Sequence, residues 1–330
     1  MKVCVYGCGA IGSLLAARLA QSGAEVCVLA RGAHLHAMQS DGLTLIADKE
    51  SASDPVRISA SDTPADFGEQ DVVFLTMKSH TVAAIANDIE PLLGADTVVV
   101  TTGNGIPWWY FYGVTDNSSA PELTSVDPER KLWQAIGPER AIGCVVYPAA
   151  RIESPGIVRH VFGDRFALGE PDGSSSTRVA TVAKLLQSAG FDAPVQVDIR
   201  TEIWTKLIAN AAYNPVSVVT GQTLGEMIDD PATHRLLLTI MEEVTGIAHA
   251  LQCDVPLTPL ELIDATRPFG AHKTSMLQDF EAGRSLELGP VVDAVIEMAG
   301  LQGIAVDNLA KVRLQVSGIL DRATANGVSG

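Results

Sequence analysis

The chain has 330 residues, 47% of them hydrophobic and 19% charged, a size that suits two domains and a composition that excludes a disordered or fibrous protein. A formal net charge of -16 argues against nucleic acid or an anionic membrane as a partner, because neither surface attracts it, while an anionic substrate in a locally basic pocket stays open. The five cysteines, Cys4, Cys8, Cys27, Cys144 and Cys253, are odd in number and scattered, with no paired metal spacing; they point to a reducing compartment, the cytoplasm, and to no metal site.

Lys2-Val3-Cys4-Val5-Tyr6 predicts a short buried strand, and Gly7-Cys8-Gly9-Ala10-Ile11-Gly12 follows it directly, with helical spacing over 13–21. Met1-Lys2 before an apolar run imitates a signal peptide, but the glycines and Arg18 interrupt it, and no other run is long enough to span a bilayer. In the order strand, glycines, helix, the spacing is that of a dinucleotide-binding loop. Gly7 makes the turn, Gly9 admits the pyrophosphate and Gly12 lets helix pack on strand, while the helix start at Ala10 and Ile11 offers free N–H groups to the phosphates. Residues 25–29 form the second strand. Its end, where an NAD site places a carboxylate, carries Ala30 and Arg31 instead, and a guanidinium there pairs with a 2′-phosphate, so NADP is favoured over NAD.

Residues 71–76 predict a further parallel strand that ends at Met77-Lys78-Ser79-His80, before a helix running to about Pro91. Residues 97–101 are the next strand, ending in Thr102-Gly103-Asn104-Gly105. Ligands of open parallel sheets sit at the carboxyl ends of strands, so Lys78 and Asn104 stand where cofactor and substrate meet. Trp108-Trp109-Tyr110-Phe111-Tyr112 then gathers five of the seventeen aromatics, either as core or as an apolar wall over the pocket. Residues 115–132 are a polar excursion around a short helix. Strands are expected at 141–148, 156–161 and 165–169, an amphipathic helix at 177–190 and a last short strand at 193–197.

From Ile199 onward helical periodicity takes over. The expected architecture is therefore α/β: an N-terminal Rossmann-type dinucleotide-binding domain over 1–198, followed by an all-helical C-terminal domain over 199–330 that carries substrate binding and catalysis. In the run from Ile203 to Pro215, Lys206, Asn210 and Asn214 fall at successive i, i+4 positions, while Trp204, Leu207, Ile208, Ala211 and Ala212 make the other faces apolar. A lysine so placed is desolvated and usable as an acid or base; the alternative is a lysine that snorkels to solvent beside two structural asparagines. Pro215 disfavours helical dihedrals at Asn214 and predicts that the stripe ends at a helix C-terminus. Further helices are expected at 233–251, 260–266, 277–282, 290–299 and 308–325. A second polar cluster spans 272–287, in which Ser275 sits at a helix start as a candidate N-cap and Glu287 follows a Gly-Arg turn.

Together the glycine loop, Met77-Lys78-Ser79, Asn104-Gly105, Trp204-x-Lys206-Leu207-x-x-Asn210-x-x-x-Asn214-Pro215, and Lys273-Thr274-Ser275-Met276-Leu277-Gln278-Asp279 through Gly283-Arg284 resemble the ketopantoate reductase (2-dehydropantoate 2-reductase) family, in order over most of the chain. The resemblance implies NADPH-dependent reduction of a 2-oxo acid, ketopantoate, to pantoate on the route to pantothenate and coenzyme A. It implies Lys206 as the proton donor and Glu287 as the acid that orients the substrate hydroxyl. Asn104, Asn210, Asn214 and Ser275 would hold the substrate and the nicotinamide end, and Arg31 and Lys78 would surround the adenosine phosphate. The sequence departs from the family pattern at His272, where an asparagine is usual, in Leu288-Gly289-Pro290-Val291-Val292-Asp293 after the acid, and in the aromatic run. Rival expectations are the same chemistry on a bulkier 2-oxo acid, and a dinucleotide-binding sensor without turnover. A homodimer is compatible with the sequence, which does not fix an oligomeric state.

Overall fold

Val3, Val5, Val28, Val73, Phe74, Val99 and Val100 are completely buried, as residues of strands covered on both faces must be, and each such side chain contributes about 1.5–3 kcal/mol by leaving water. The computed structural model describes residues 1–47, 52–78, 85–114 and 120–325. Its larger sheet has seven strands: β1 (Lys2–Tyr6), β2 (Glu25–Leu29), β4 (Ser59–Ser61), β5 (Gln70–Leu75), β6 (Leu93–Thr101), β7 (Ala141–Val146) and β10 (Phe166–Gly169), in the order β10-β7-β6-β5-β1-β2-β4. All neighbours are parallel except β10 on β7. The order reverses beside β1, which pairs with β2 on one edge and with β5 on the other, and this reversal is the point at which such sheets bind ligands.

A second sheet of three strands, β3 (Thr44–Ala47), β8 (Ala149–Ser154) and β9 (Ile157–Phe162), runs in the order β3-β9-β8 and packs on α1 (Ala10–Gln21). Two histidines fasten it. His34, in α2 (Gly32–Ser40), accepts from the Gly156 N–H at Nδ1, 2.9 Å, so its proton lies on Nε2, 2.9 Å from the Ser13 hydroxyl of α1. His160 places Nδ1 3.2 Å from the Arg18 guanidinium and donates from Nε2 to the Gly163 carbonyl at 2.6 Å.

The expected strand at 193–197 is reduced to isolated bridges at Asp192 and Val195, and β3, β4 and β8 are additions to the expected set. Ser79 and His80, and the start of the helix expected after them, lie outside the described residues. The end of that stretch is a 3-10 turn, Glu90–Leu92, with Pro91 in its first turn. In the excursion, residues 115–119 lie outside the description; a short helix, α3 (Lys131–Ile136), begins only at its end and runs beyond it, with the buried Asp127 accepting from the Leu132 and Trp133 N–H groups. Trp108, Trp109, Tyr110 and Phe111 are buried core side chains. A helix, α4 (Thr177–Ser188), completes this part.

The helical part comprises α5 (Ile199–Thr220), α6 (Leu224–Asp229), α7 (Pro231–Ala250), α8 (Pro259–Thr266), α9 (Ser275–Glu281), α10 (Ala294–Gln302) and α11 (Asp307–Ala325), with a π-helical turn at Gly289–Asp293 leading into α10. No strand follows Ile199 among the described residues, and no helix there is long and apolar enough to cross a membrane. α7 packs against α10 and α11, and its Glu243 carboxylate takes the Asn308 and Leu309 N–H groups at the start of α11. The chain divides into two compact units. One holds 1–103, 107–122 and 127–199; the other holds 104–106, 123–126 and 200–330.

One expectation about α5 is overturned. The helix does not end at Asn214 but runs through Pro215 to Thr220. An interior proline costs about 3 kcal/mol in lost hydrogen bonding and ring clash. Beyond it Val216 and Val218 are buried, worth a comparable amount, and the buried Ser217 hydroxyl donates to the Asn214 carbonyl at 2.7 Å while lying 2.6 Å from the Thr274 hydroxyl. Packing outweighs the local preference.

Candidate active site

The glycine loop is built as its spacing requires. Gly7 has φ +98° and a Cβ there would lie 2.8 Å from Met77 Cβ; Gly12 would bring a Cβ to 2.5 Å from both the Gly7 carbonyl and Thr76 Oγ1. The Thr76 hydroxyl donates to that same carbonyl at 2.7 Å, and Leu29 O takes the Gly7 and Cys8 N–H groups, so the ends of β1, β2 and β5 are drawn together. Gly9 is different. It is exposed, no atom of the described residues beyond its chain neighbours lies within 4 Å of the Cβ it lacks, and as the N-cap of α1 it makes no side-chain cap. Ala10 and Ile11, half-buried, open the helix behind it without an acidic residue in the first turn. An open N-terminus beside an unused Cβ position fits a pyrophosphate approaching the backbone. Arg31, exposed, is the N-cap of α2 at the end of β2, and no carboxylate stands beside it in the chain. Lys78 follows the end of β5 and is half-buried.

In the helical unit, α5 projects Lys206, Asn210 and Asn214 along one stripe, with Trp204, Leu207, Ile208, Ala211 and Ala212 buried on the other faces. Lys206 is half-buried and its ammonium donates to Asn104 Oδ1 at 2.9 Å. Asn104 Nδ2 donates to Glu287 Oε2 at 3.0 Å. Lysine is only a donor and a carboxylate only an acceptor, so this chain of contacts fixes which way the amide faces. Lys206, Asn104 and Glu287 are thus one connected group. Glu287, half-buried, is a member of it and not a solvated loop carboxylate. The Asn210 carboxamide, half-buried, has no hydrogen-bond partner among the described residues, nor has the Ser275 hydroxyl, which is exposed.

Ser275 is not the N-cap of its helix. That role belongs to Thr274, whose Oγ1 accepts from the Leu277 N–H at 3.1 Å and meets Ser217, so Ser275 is the first helical residue with its hydroxyl turned to solvent. Sequence reasoning gave no role to Thr274 or Ser217; a hydroxyl three residues past Asn214 in an apolar run was the signal available for Ser217. His272 stacks on Phe269, ring centroids 6.3 Å apart, two residues from Thr274. Among the described residues no group of histidine, cysteine, aspartate and glutamate could hold a metal ion.

Comparison with known proteins bears on this arrangement. The profile of the family described as Ketopantoate reductase PanE/ApbA matches residues 3–173, and that of its C-terminal part matches residues 198–314. A 2-dehydropantoate 2-reductase of Mesorhizobium japonicum is 46% identical over 302 residues, covering 91% of this chain and 92% of its own. A solved structure from Ralstonia solanacearum MolK2, a ketopantoate reductase candidate, superposes with a TM-score of 0.92 at 36% identity, covering 99% of this chain and 98% of its own. The fold is shared more widely: D-mandelate dehydrogenase in a ternary structure with NADH and anilino(oxo)acetate superposes with a TM-score of 0.82 at 21% identity, covering 98% of this chain and 99% of its own. With profiles spanning both halves and a relative this similar over nearly its whole length, the chain belongs to the ketopantoate reductase PanE/ApbA family.

Proposed function

We propose that the protein reduces a 2-oxo acid to the 2-hydroxy acid with NADPH, ketopantoate to pantoate in pantothenate and coenzyme A synthesis being the reaction its relatives suggest. The observation that carries the reading is the connected group Lys206–Asn104–Glu287, whose lysine shares its helix stripe with two more carboxamides, Asn210 and Asn214. Residues 1–198 bind the dinucleotide in this reading, and 199–330 bind the substrate and catalyse. Gly7, Gly9, Ala10, Ile11 and Gly12 receive the pyrophosphate, Arg31 and Lys78 the adenosine phosphate, and Asn104 the nicotinamide end. Absence of a disulfide among the five cysteines agrees with a cytoplasmic enzyme.

NADPH supplies the hydride that reaches the carbonyl carbon. Lys206 donates a proton from Nζ to the carbonyl oxygen, so that no free alkoxide has to form. Asn104 Oδ1 holds the ammonium in place, taking one of its three N–H groups. Asn104 Nδ2 in turn anchors one oxygen of Glu287, orienting the carboxylate to accept from a substrate hydroxyl. Asn210, Asn214 and Ser275 supply neutral donors for the substrate carboxylate. A sensor would not need a half-buried proton donor held by an amide. A bulkier 2-oxo acid is the second reading, favoured by the exposed Phe269–His272 pair near Ser275.

The test is NADPH oxidation with ketopantoate, beside a panel of larger 2-oxo acids and with NADH as control. Turnover of ketopantoate above the panel supports the reading. Turnover of a larger acid alone moves the substrate to the second reading, and NADPH binding with no turnover of any acid refutes the enzyme.

A further inference from the structure

Asn104 reaches Glu287 across 183 residues of sequence and Lys206 across 102, so something must hold it there. The structure supplies two attachments. Gly105 has φ +86°, and a Cβ on it would lie 2.3 Å from the Pro290 carbonyl; that carbonyl accepts from the Ile106 N–H at 2.9 Å. Further along, the chain returns to the same unit at 123–126, where the Thr124 and Ser125 N–H groups donate to Glu297 at 2.9 and 3.2 Å and the Ser125 hydroxyl donates at 2.6 Å. A Cβ on Gly289 would lie 2.7 Å from the Ser125 carbonyl, so this return segment and residues 104–106 sit on adjacent residues of one π-helical turn.

That turn, Gly289–Asp293, begins two residues after Glu287 and leads into α10, whose first turn carries Glu297. Its far end is tied by Arg313 of α11, which donates twice to the Asp293 carboxylate. π-turns are rare and concentrate at functional sites, because the extra residue frees backbone groups for outside partners. Burial pushes the Glu297 carboxyl up, but the Ser125 hydroxyl and the two backbone N–H groups outweigh it and hold the group below the usual carboxylate range.

We propose that Glu297 is a positioning residue for the reaction: by clamping 123–126 onto the π-turn beside the 104–106 contact, it holds the Asn104 carboxamide between Lys206 and Glu287. This rests on the reading of Lys206, Asn104 and Glu287 as the reacting group. Glu297, whose carboxylate is taken up by Thr124 and Ser125, acts through Asn104 alone.

Misplacing a reacting group by a fraction of an ångström to an ångström costs roughly tenfold to a hundredfold in rate. Glu297→Ala is therefore expected to lower kcat by roughly that factor, with NADPH affinity lowered far less, by the Asn104 contact alone, and Glu297→Gln, which keeps one acceptor, to fall between. In an Asn104→Ala background the same Glu297→Ala change is expected to cost nothing further. Amide hydrogen exchange of Ile106 in full-length protein is expected to speed up in Glu297→Ala. An equal loss of kcat in both backgrounds, an unchanged kcat in the single variant, or an Ile106 amide that stays protected overturns the proposal. Absence of turnover by the unmodified protein refutes the functional reading instead, and the Ile106 amide then still decides whether Glu297 holds the segment.

Discussion

In the proposed reaction, replacing Lys206 with alanine removes the proton donor and little else. The side chain is half-buried and its ammonium is held by the Asn104 amide, an interaction whose loss costs the fold on the order of 1 kcal/mol. A positioned general acid contributes roughly 10²–10⁴ in rate. At about 1.36 kcal/mol per decade, its removal raises the barrier by roughly 3–5 kcal/mol, several times the expected loss of stability. The glycine loop and Arg31 belong to the other compact unit, so NADPH affinity should stay within about threefold, a difference of less than roughly 1 kcal/mol. The assay is steady-state NADPH oxidation with the best 2-oxo acid of the panel, beside NADPH binding followed by nicotinamide fluorescence and a thermal melt. A variant that keeps kcat within about threefold removes Lys206 from the chemistry, and one that loses NADPH affinity in step with kcat shows that the lysine serves the fold or the cofactor instead.

The loop glycines should separate by role: Gly9→Ala, which meets no atom of the described residues beyond its chain neighbours, should leave the melting temperature unchanged and weaken NADPH, whereas Gly12→Ala, with its Cβ 2.5 Å from two oxygens, should also destabilise the fold by about 1–3 kcal/mol, as melts and binding titrations will show. Arg31→Asp should weaken NADPH by roughly tenfold to a hundredfold and leave NADH less affected, read from kcat/KM with each cofactor; an unchanged preference refutes the 2′-phosphate assignment. Burial lowers the His34 pKa from its ordinary 6.5, so the folded state binds the proton less readily than the unfolded chain. Its contribution to stability is complete above about pH 6.5 and is lost as the pH falls below it. Urea unfolding at neutral pH and about one pH unit below the ordinary histidine value should therefore show a fall that His34→Gln, which keeps an acceptor for Gly156 and a donor for Ser13, reduces.

What could be read from residues alone follows the range of the interactions involved. β1, β2, β5 and β6 are apolar runs next to turn glycines, and the Lys206 stripe is a local helical spacing, so both were visible. β3 and β8 were not, because β3 is four residues long and mostly half-buried, β8 is mostly exposed, and both draw their stability from β9, a partner far away in the chain for β3. Pro215 misled because local backbone preference was outweighed by burial beyond it. Thr274 and Ser275 both carry hydroxyls suited to a helix start, and only the fold decides which one caps. Lys206, Asn104 and Glu287 could each be named, but that one amide joins the other two rests on contacts across more than a hundred residues and on a π-turn that has no local signature.

The stitching of 104–106 and 123–126 into the helical unit bears on how this protein can change over evolutionary time. A recombination event at the junction near residue 198 would carry Lys206 and Glu287 into a new partner but leave Asn104 behind, and the transplanted lysine would arrive without the amide that holds it. The two halves are not interchangeable modules. With the turn after Glu287 placed as it is, position 105 has to stay a glycine, because any Cβ there meets the Pro290 backbone, so the two sites constrain each other.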